Sequence, residues 1–343
     1  MKHQDNKNPQ KNSESIQVDA SGTGQRIDVW LSSKQQIGSR SFVKKLIDQE
    51  QILLNNTHCR SKDILKEGDQ IKILQETTRE PCLLPRKLPL DILFEDEHLI
   101  VINKPANLIV HPGAGHDATQ TTLVEALLAH TSLCTQTQDK LRPGIVHRLD
   151  KDTTGVIICA KSIEAYESLS KQFLQKTNHR EYLALLDGFM EKENLVHGSY
   201  LYRNPKNRLA FASCSKKQHE TKSPTTSVKY RWAESSFHKV TTFGHRLTLA
   251  SIRLHTGRTH QIRVHSKDLN LPVVGDPLYN RQHMLPQSFS KDITAQISSI
   301  GRQMLHAKSL GFEHPTTRKK LSFTAPLPED FKNLLSSLKK YEN

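Results

Sequence analysis

Three prolines divide the 343-residue chain into two regions of very different length. They occupy positions 81, 85 and 89 within the segment QETTREPCLLPRKLP. Proline lacks a backbone N–H and restricts the residue before it, so such a segment stays extended instead of joining a helix or sheet. The sequence therefore predicts a linker over residues 76–89, between a small N-terminal domain and a large C-terminal domain.

The region before the linker predicts a domain of helices and short strands over residues 23–75. Its first helix is indicated by apolar residues at helical spacing, Ile27, Trp30 and Leu31. The segment GSRSFVKKLIDQE indicates a second helix, capped by Ser39 or Ser41. This helix displays three basic residues: Arg40, Lys44 and Lys45. Taken alone, that pattern favours an ordinary solvated helix face.

Both ends of the chain are predicted to lie outside the folded domains. Residues 1–22 are polar and show no periodicity, so we expect them to be disordered. Residues 331–343 are predicted to form a C-terminal tail.

The large region, residues 90–330, mixes strand-like and helix-like segments irregularly. DILFEDEHLIVINKP suggests a hairpin, VIICAKS, EYLALLDGFM and RLTLASIRLH suggest strands, and TTLVEALLAHT and SIEAYESLSKQFLQK suggest helices. Several strands are joined by short turns. The predicted fold class is therefore α+β, with a mixed, mainly antiparallel sheet.

Charge and cysteine usage limit the function classes. The formal net charge is +14, which favours a polyanionic partner such as nucleic acid, although basicity could also serve solubility alone. The five cysteines form no Cys-x-x-Cys pair, which is typical of reduced thiols inside a cell. No apolar run approaches the roughly 20 residues of a membrane helix, and the first residues lack the apolar core of a secretory signal. We expect a soluble, cytoplasmic protein.

The stretch GIVHRLDKDTTG, residues 144–155, concentrates charged side chains between apolar segments. A calcium-binding EF-hand loop is excluded, because position 12 of such a loop would be Lys161 instead of a bidentate glutamate. An Asp-x-Asp-x-Thr nucleophile for phosphoryl transfer needs a buried apolar strand before the first aspartate, and His147 and Arg148 interrupt that strand.

Two interpretations of Asp150 remain open on this stretch alone. It could be a nucleophile on a loop after a strand, since an aspartate can form a covalent intermediate at a sugar or base carbon. That role needs a dry pocket and a cation that keeps the carboxylate charged. Alternatively, Asp150 and Asp152 could be turn formers on the surface. In both cases Thr153, Thr154 and Gly155 suit a tight turn.

A second dense segment is LHTGRTHQIRVH, residues 254–265. Thr256 and Gly257 are predicted to end a strand, and Thr259 to cap a helix. Arg258 and Arg263 would then lie near a strand-to-helix junction, which favours anions. The alternative is two solvated arginines at a helix start.

No metal site is supported by the histidine and cysteine spacing. HRE at residues 179–181 imitates a deaminase motif but lacks its Pro-Cys-x-x-Cys partner. The histidines at 255, 260 and 265 fit neither one strand face nor one helix face.

Together, these segments resemble the RluA family of RNA pseudouridine synthases over residues from about 24 to 328. HRLDKDTTG is similar to the family's His-Arg-Leu-Asp-x-x-Thr-Ser-Gly, with Thr154 for serine. REYLALLDG is similar to its Lys-x-Tyr-Leu-Ala, with Arg180 for lysine. TGRTHQIRVH, LPVVGDPLY and RQMLHAKSLGFEHP match further segments, and NKPANLIVHPG matches with Asn107 for glycine. The N-terminal domain resembles the S4 RNA-binding domain, an order of domains similar to the RluD-like members.

The resemblance implies isomerisation of uridine within RNA: the N1–C1′ bond breaks and uracil rejoins the ribose through C5. Asp150 would be the nucleophile, with attack at C1′ or at C6 both open, and Arg263 would pair with it. Tyr182 would stack on the flipped base and could accept the C5 proton. Arg148 would occupy the gap left by the flipped nucleotide.

Further substrate contacts are predicted from the same resemblance. They comprise Arg258, His147 as either a supporting or an RNA-contacting residue, and the basic residues of the S4 helix, Arg40, Lys44 and Lys45. Large-subunit (23S) ribosomal RNA is the expected substrate, free or within a ribosome precursor particle. No cofactor, metal or membrane is expected, and a monomer is the default. The alternatives are transfer-RNA uridine as substrate, an RNA-binding assembly factor without turnover, or a nucleosidase or phosphatase using Asp150.

Overall fold

The computed structural model describes residues 13–34, 40–74, 83–112, 120–135, 141–221, 228–280 and 289–343. The chain divides into two units, Met1–Cys82 and Leu83–Asn343. Among the described helices, none has the length and apolar character needed to cross a membrane.

The small unit combines a four-stranded antiparallel sheet with two helices. Its elements in chain order are β1 Ser13–Gln17, α1 Ile27–Ser33, α2 Arg40–Asp48, β2 Ile52–Leu54, β3 Thr57–His58 and β4 Gln70–Leu74. The strand order is β1-β4-β2-β3. Both helices and the central strands share one apolar cluster around Trp30, which is 1% exposed. The predicted helix stripe of α1 is therefore confirmed as its buried face.

Strands β2 and β3 are joined by a two-residue turn at Asn55 and Asn56. Asn55 and Asn56 both have positive φ, 51° and 63°, which is the backbone that a two-residue hairpin turn requires. Ser39, one of the two predicted caps of α2, lies outside the described residues.

Disorder up to residue 22 is wrong for residues 13–22. Residues 13–17 form β1, which pairs with β4 from Ser13 opposite Leu74 to Gln17 opposite Gln70. Val18 is 2% exposed within the apolar cluster. The polar composition concealed this strand because an edge strand needs few apolar residues when its partner supplies the hydrogen bonds. Residues 1–12 lie outside the described part.

The large unit is built on one long mixed sheet with helices on both faces. Its elements in chain order are β5 Ile92–Glu95, β6 Leu99–Lys104, α3 Leu123–His130, β7 Thr154–Ala160, α4 Ile163–Gln175, β8 His179–Asp187, β9 Asn194–Arg203, β10 Phe211–Cys214, α5 Lys216–Glu220, β11 Arg231–Phe243, β12 Leu247–Leu254, α6 Gln261–Asp268, α7 Lys291–Ser298, β13 Leu305–Glu313, β14 Lys320–Thr324 and α8 Glu329–Leu338.

The strand order is β10-β9-β11-β12-β8-β13-β7-β6-β5, with β14 also paired to β13. All named pairs are antiparallel except β13 with β7, which is parallel. The predicted α+β class with a mixed, mainly antiparallel sheet is confirmed.

Strand β8 shows how both faces of the sheet are covered. Tyr182, Ala184 and Leu186 belong to an apolar cluster with α3 and α6, whereas Leu183 and Leu185 belong to a cluster with α7 and α8. Successive residues of a strand point to opposite faces, so a central strand buried on both sides is apolar throughout.

Two predicted domain limits differ from the structure. Residues 83–89 were expected in the linker, but Leu83 and Leu88 pack against the main apolar cluster and Arg86 N–H donates to the Glu125 carbonyl. Residues 331–343 were expected to form a tail, but Phe331 is fully buried within α8. The apolar spacing of FKNLLSSL marks α8 as amphipathic, a signal that the position at the chain end obscured.

Candidate active site

Asp150 lies in a tight turn directly before β7. The turn closes with a hydrogen bond from the Thr153 N–H to the Asp150 carbonyl, over 3.1 Å. The expected strand before Asp150 is wrong: the preceding residues carry a single bridge, between Ile145 and Cys159. A loop without regular pairing can aim the carboxylate away from the sheet edge, and its side chain is 18% exposed.

The residues after Asp150 anchor the turn instead of forming it, which corrects the prediction for Thr154 and Gly155. Both belong to β7, and Thr154 Oγ1 lies 2.8 Å from His306 Nδ1. Gly155 has φ of 109°, and a Cβ there would meet the Ala307 carbonyl oxygen at 2.1 Å. Glycine is required because β7 approaches β13 at this point.

Arg263 holds the Asp150 carboxylate. Its Nη1 donates to Asp150 Oδ2 over 3.0 Å, while Nε and Nη2 donate to the two oxygens of Asp276 over 2.6 and 2.9 Å. Arg263 is 4% exposed and lies on α6. One guanidinium therefore bridges two carboxylates, and the bidentate pair with Asp276 fixes the direction of the third donor.

Asp276 is fixed in turn by the backbone. Its Oδ1 accepts hydrogen bonds from the N–H groups of Leu278 and Tyr279, over 2.9 and 3.1 Å, and the residue is fully buried. Burial alone would lower the pKa of Arg263, but the bonds to Asp276 and the charge of Asp150 raise it. Arg263 thus stays charged and oriented before any substrate arrives.

His260 approaches the same carboxylate from the helix start. Its Nε2 lies 3.8 Å from Asp150 Oδ2, and its Nδ1 lies 2.9 Å from Tyr279 Oη. Tyr279 Oη already accepts the Phe211 N–H over 2.7 Å, so its own proton is free to be donated to His260 Nδ1. That arrangement places the proton of a neutral imidazole on Nε2, facing Asp150.

Thr259 does not cap α6, contrary to the prediction. The N-cap is His260, with φ of 56°, and the structure gives no side-chain cap bond there. Instead, Gln261 Oε1 accepts hydrogen bonds from the Arg258 N–H over 3.0 Å and from Thr256 Oγ1 over 2.7 Å. The left-handed backbone at residue 260 turns its ring toward Asp150, a feature that helix propensity cannot reveal.

The surrounding charges keep Asp150 ionised. Burial would raise its pKa, but the charges of His260, Arg263 and Arg148 and the hydrogen bond from Arg263 together lower it. Burial lowers the pKa of His260 below its usual value, so the lasting positive charge beside Asp150 comes from the arginines. A carboxylate ionised at neutral pH is the form that a nucleophile needs.

Asp150 opens onto a cavity of about 280 Å³. This lies near the lower end of the volume range for small-molecule sites, about 300 Å³. Tyr182, 8% exposed, lines the cavity together with apolar residues that include Leu254, Ile262 and Leu305. Burial raises the pKa of Tyr182, so its phenol is protonated at neutral pH. The three predicted catalytic residues, Asp150, Tyr182 and Arg263, all line this cavity, which we term the Asp150 pocket.

Lys104 supports the turn that carries Asp150. It is fully buried, and its Nζ donates to the carbonyls of Pro105, Leu108 and Lys151 over 2.7 to 2.9 Å. Burial lowers the pKa of Lys104 to about 7, against the charges of Asp152 and Asp150, which raise it. The side chain of Lys104 offers one N–H donor to each of the three carbonyls, and so it links the backbone at residue 151 to the end of β6.

His147 contacts the protein scaffold. Its Nε2 accepts the Ile158 N–H over 3.0 Å, and its ring stacks on Phe173 with 4.5 Å between centroids. Burial and the nearby charge of Arg180 lower the pKa of His147 to about 3. These contacts favour support of the loop over RNA contact. Arg148, in contrast, is exposed at the pocket wall, with Nη1 3.5 Å from His111 Nε2.

The other predicted substrate contacts are divided between the two units. Arg258 is exposed at the rim of the Asp150 pocket. In the small unit Lys44 is exposed, whereas Arg40 is anchored by the buried carboxylate of Asp28, 3.0 Å from its Nε. The side chain of Lys45 lies outside what the structure describes.

Several residues of the site are not predicted by the sequence patterns. Lys104 and Asp276 lie in the segments NKP and GDPLY, which were quoted only as matching stretches. A charged residue next to a proline inside an apolar stretch was the available signal in both cases. Arg180, which lines the Asp150 pocket, was noted only as a replacement for lysine.

The chain matches two known families. Residues 98–268 match the family described as RNA pseudouridylate synthase, and residues 25–71 match the S4 domain. The first match contains the turn at Asp150, β8 and α6, which supply the catalytic candidates of the Asp150 pocket.

Curated relatives extend the similarity to nearly the whole chain. Ribosomal large subunit pseudouridine synthase D of Xanthomonas campestris pv. campestris is 34% identical over 94% of this chain and 91% of its own length. The protein of the same name from Buchnera aphidicola is 36% identical over 94% and 97%. An uncharacterised RNA pseudouridine synthase of Bacillus subtilis is 34% identical over 92% and 95%.

A solved structure shares the fold. It is described as human RNA pseudouridylate synthase domain containing 4, with a TM-score of 0.53, 23% identity, and coverage of 73% of this chain and 93% of its own. At this identity the likeness concerns the fold alone.

Proposed function

Because the chain belongs to the RNA pseudouridylate synthase family and carries an S4 domain, we propose that it converts uridine to pseudouridine in large-subunit ribosomal RNA. The ribosomal substrate is inferred from the relatives named ribosomal large subunit pseudouridine synthase D, which are similar over nearly their full length. The observation that supports the chemistry best is the Asp150 carboxylate, which Arg263 keeps ionised at the wall of the Asp150 pocket.

The residues of the pocket have complementary roles in this proposal. A uridine flipped out of its stack enters the Asp150 pocket, and the Asp150 carboxylate attacks it at C1′ or at C6. The N1–C1′ bond breaks, uracil turns, and C5 bonds to C1′. The C5 proton is then removed, N1 takes up a proton, and the carboxylate is released unchanged. No electrons or atoms are gained or lost overall.

Tyr182 and Arg148 act on the base and on the RNA. The Tyr182 ring lines the pocket from β8, where it can stack on uracil and exclude water. Arg148 is exposed two residues before the nucleophile, where its planar guanidinium can fill the space that the extruded base leaves. Extrusion costs a few kcal/mol of stacking, so uridines in loops are the favoured targets.

The small unit is proposed to bind the phosphate backbone of the RNA. Lys44 is exposed on α2, and lysines contact phosphates without reading sequence. In the double variant K44Q/K45Q we expect weaker binding of ribosomal RNA and a shallower dependence of affinity on salt concentration. Affinity and salt dependence equal to those of the unmodified protein would argue against this role.

The reaction is tested with the purified full-length protein and large-subunit ribosomal RNA. We expect pseudouridine, measured by mass spectrometry of the digested RNA, to form with the unmodified protein. The variant Asp150→Asn should lose conversion by a factor of about 10⁴ or more while still binding RNA, because the amide cannot act as the nucleophile. Asp152→Asn, two residues further in the same turn, removes the same charge and should retain most activity.

Three outcomes would contradict the proposal. Turnover by Asp150→Asn would remove Asp150 as the nucleophile, and release of free uracil by the unmodified protein would indicate a nucleosidase. RNA binding without any conversion, in ribosomal and transfer RNA alike, would point to an assembly factor.

A further inference from the structure

A second buried arginine lines the Asp150 pocket and has no partner for its charge among the described residues. Arg180 is 7% exposed, and in that part of the chain no hydrogen-bond acceptor reaches its Nε. No described carboxylate pairs with its guanidinium. An arginine cannot release its proton in a protein, so this charge stays buried at a cost.

The neighbours of Arg180 place its guanidinium without neutralising it. The Cζ atom lies 5.6 Å from the centroid of the Phe173 ring, which also stacks on the ring of His147. A Cβ on Gly257 would come within 2.6 Å of Arg180 Nη1, so the absence of a side chain there leaves room for the guanidinium. Burial lowers the pKa of Arg180, and only the phenol of Tyr182 counteracts it.

We propose that Arg180 binds a phosphodiester group flanking the flipped uridine. This rests on the proposed function and adds a specific contact to it. A phosphate is the group of RNA that carries a full negative charge, and a guanidinium can meet two of its oxygens at once. Without RNA, the buried charge of Arg180 destabilises the protein. A bound phosphate would compensate that charge, so RNA binding to the pocket is favoured.

The first test separates binding from structural support. Arg180→Met removes an uncompensated buried charge and keeps an unbranched side chain, so we expect the midpoint of thermal unfolding to rise by about 2 °C or more. At the same time kcat/KM for RNA should fall about 10- to 100-fold. Arg180→Lys keeps the charge and should recover much of the activity. A lower unfolding midpoint together with lost activity would indicate a structural residue and overturn the proposal.

The second test identifies the group that is bound. Each phosphodiester flanking the target uridine is replaced in turn by a neutral methylphosphonate, with the adjacent 2′-hydroxyl methylated so that the linkage is stable. Affinity is measured in the Asp150→Asn background, which does not depend on turnover. We compare two proteins, Asp150→Asn alone and Asp150→Asn with R180M. When the phosphodiester that Arg180 contacts is the neutral one, the two proteins should bind the RNA equally tightly. A constant difference at both positions would indicate a contact to uracil and overturn the proposal.

The two proposals fail in different ways. If the unmodified protein makes no pseudouridine, the proposed reaction fails, but the affinity measurements still report on Arg180. If pseudouridine forms and R180M binds RNA as tightly as the unmodified protein, the reaction stands and the role of Arg180 fails.

An independent observation concerns a basic cleft beside the Asp150 pocket. The cleft has a volume of about 580 Å³ and shares the wall Gly257–Thr259 with that pocket. Five cationic residues line it: Arg203, Arg208, Lys229, Arg231 and Arg258. The described residues of its lining include no aspartate or glutamate. Burial and the charge of Arg231 both lower the pKa of Arg258, so the two guanidinium groups repel each other.

We infer that this cleft holds the phosphates of the RNA strand that leads into the Asp150 pocket. The shared wall puts the cations next to the flipped nucleotide, and the described lining offers them no carboxylate, which leaves them available to an anion. Phosphates neutralise the repulsion between the arginines and release bound counterions on association.

The double variant R208Q/R231Q tests this inference. We expect KM for ribosomal RNA to rise about tenfold or more with kcat nearly unchanged. The slope of log affinity against log salt should become shallower by about 1.4, or about 0.7 for each lost contact to a single strand. A short RNA that fills only the Asp150 pocket should not distinguish the variant from the unmodified protein.

K339Q/K340Q is the matched control, because it removes the same charge at the other end of β11. Glu342, close to the two lysines in sequence, forms an isolated β-bridge with Phe243 at the end of β11, whereas Arg231 is the first residue of that strand. The length of β11 therefore separates the two sites by about 40 Å. We expect this control to leave KM unchanged. A salt slope in R208Q/R231Q equal to that of the unmodified protein would overturn the inference.

Discussion

Two buried arginines face the same pocket and are satisfied in opposite ways. Arg263 makes hydrogen bonds to the carboxylates of Asp150 and Asp276, whereas Arg180 makes no ion pair among the described residues. Both are more than nine-tenths buried. Their difference therefore reflects the distribution of carboxylates around them, and burial alone does not explain it.

The comparison teaches how one pocket can be both rigid and receptive. The charge of Arg263 acts inside the protein, where it keeps the Asp150 carboxylate ionised and fixed in direction before substrate binds. The charge of Arg180 is left for the substrate. A pocket whose cations were all paired would hold RNA weakly, and one whose cations were all unpaired would be unstable.

The largest expected effect on stability comes from Arg263→Met, which should act with the opposite sign to Arg180→Met. Removing Arg263 leaves the fully buried carboxylate of Asp276 without its partner, so we expect a loss of about 3–5 kcal/mol in the free energy of unfolding. Activity should fall at least 10³-fold, because Asp150 loses its fixed cation. Urea unfolding and pseudouridine formation measure the two effects. A change of the unfolding free energy in the same direction for both Met variants would contradict the difference between a paired and an unpaired arginine.

Asp276→Asn tests the same comparison by removing one of the two carboxylate partners of Arg263. The amide keeps one oxygen for the backbone N–H groups but presents donors where Arg263 Nε now donates. We expect a loss of about 2–3 kcal/mol in unfolding free energy. Activity should decrease less than in Arg263→Met, because the contact from Nη1 to Asp150 remains. An activity as low as that of Arg263→Met would mean that Asp276 controls Asp150 more directly than the contacts indicate.

Tyr279→Phe concerns the second group that faces Asp150. The hydroxyl accepts the Phe211 N–H and meets His260 Nδ1, so its removal leaves a backbone donor without its acceptor and the imidazole without its orienting contact. We expect a loss of about 1–2 kcal/mol in stability. The value of kcat should decrease by about tenfold or less, with KM nearly unchanged. A change in KM alone would place Tyr279 in RNA binding instead.

The smallest effect is a pH dependence of stability that connects His147 to Arg180. The folded pKa of His147 is about 3, below the usual value of 6.5, because of burial and then the charge of Arg180. Between these values the unfolded chain binds a proton that the folded chain does not, so stability falls as the pH falls below 6.5, by at most about 1.4 kcal/mol per unit.

Urea unfolding between about pH 7 and pH 3 measures this dependence, because that range runs from the usual pKa of histidine to the folded pKa of His147. In Arg180→Met the folded pKa of His147 should lie closer to its usual value, because one of the two causes is removed. The decline in stability should therefore level off at a less acidic pH than in the unmodified protein. A decline that levels off at the same pH in both proteins would show that Arg180 does not act on His147.

The sequence predicted the local elements well where periodicity was strong. The hairpin of β5 and β6, the helices α3 and α4 and the strand β8 all lie where their apolar patterns indicated. Errors arose where long-range pairing decided the structure. β1 forms because β4 supplies its hydrogen bonds, and α8 is ordered because Phe331 fits a cluster built by distant elements.

The sequence by itself determined the α+β class, because this depends on the alternation of apolar residues, and its short motifs carry the family resemblance that implies the three catalytic candidates. Residue patterns alone did not distinguish Arg180 from Arg263, since both appear as a basic residue beside an apolar segment, and it was the family resemblance that predicted the pairing of Arg263 with Asp150. Only the tertiary structure showed that Arg263 is also paired with Asp276 and that Arg180 has no carboxylate partner among the described residues. The contact between Asp150 and Arg263 joins residues 113 positions apart, and such a contact exists only after the sheet has brought β7 and α6 together. Arg180 remains unpaired for the same physical reason, because the folded sheet brings no carboxylate of the described chain to its side of the pocket.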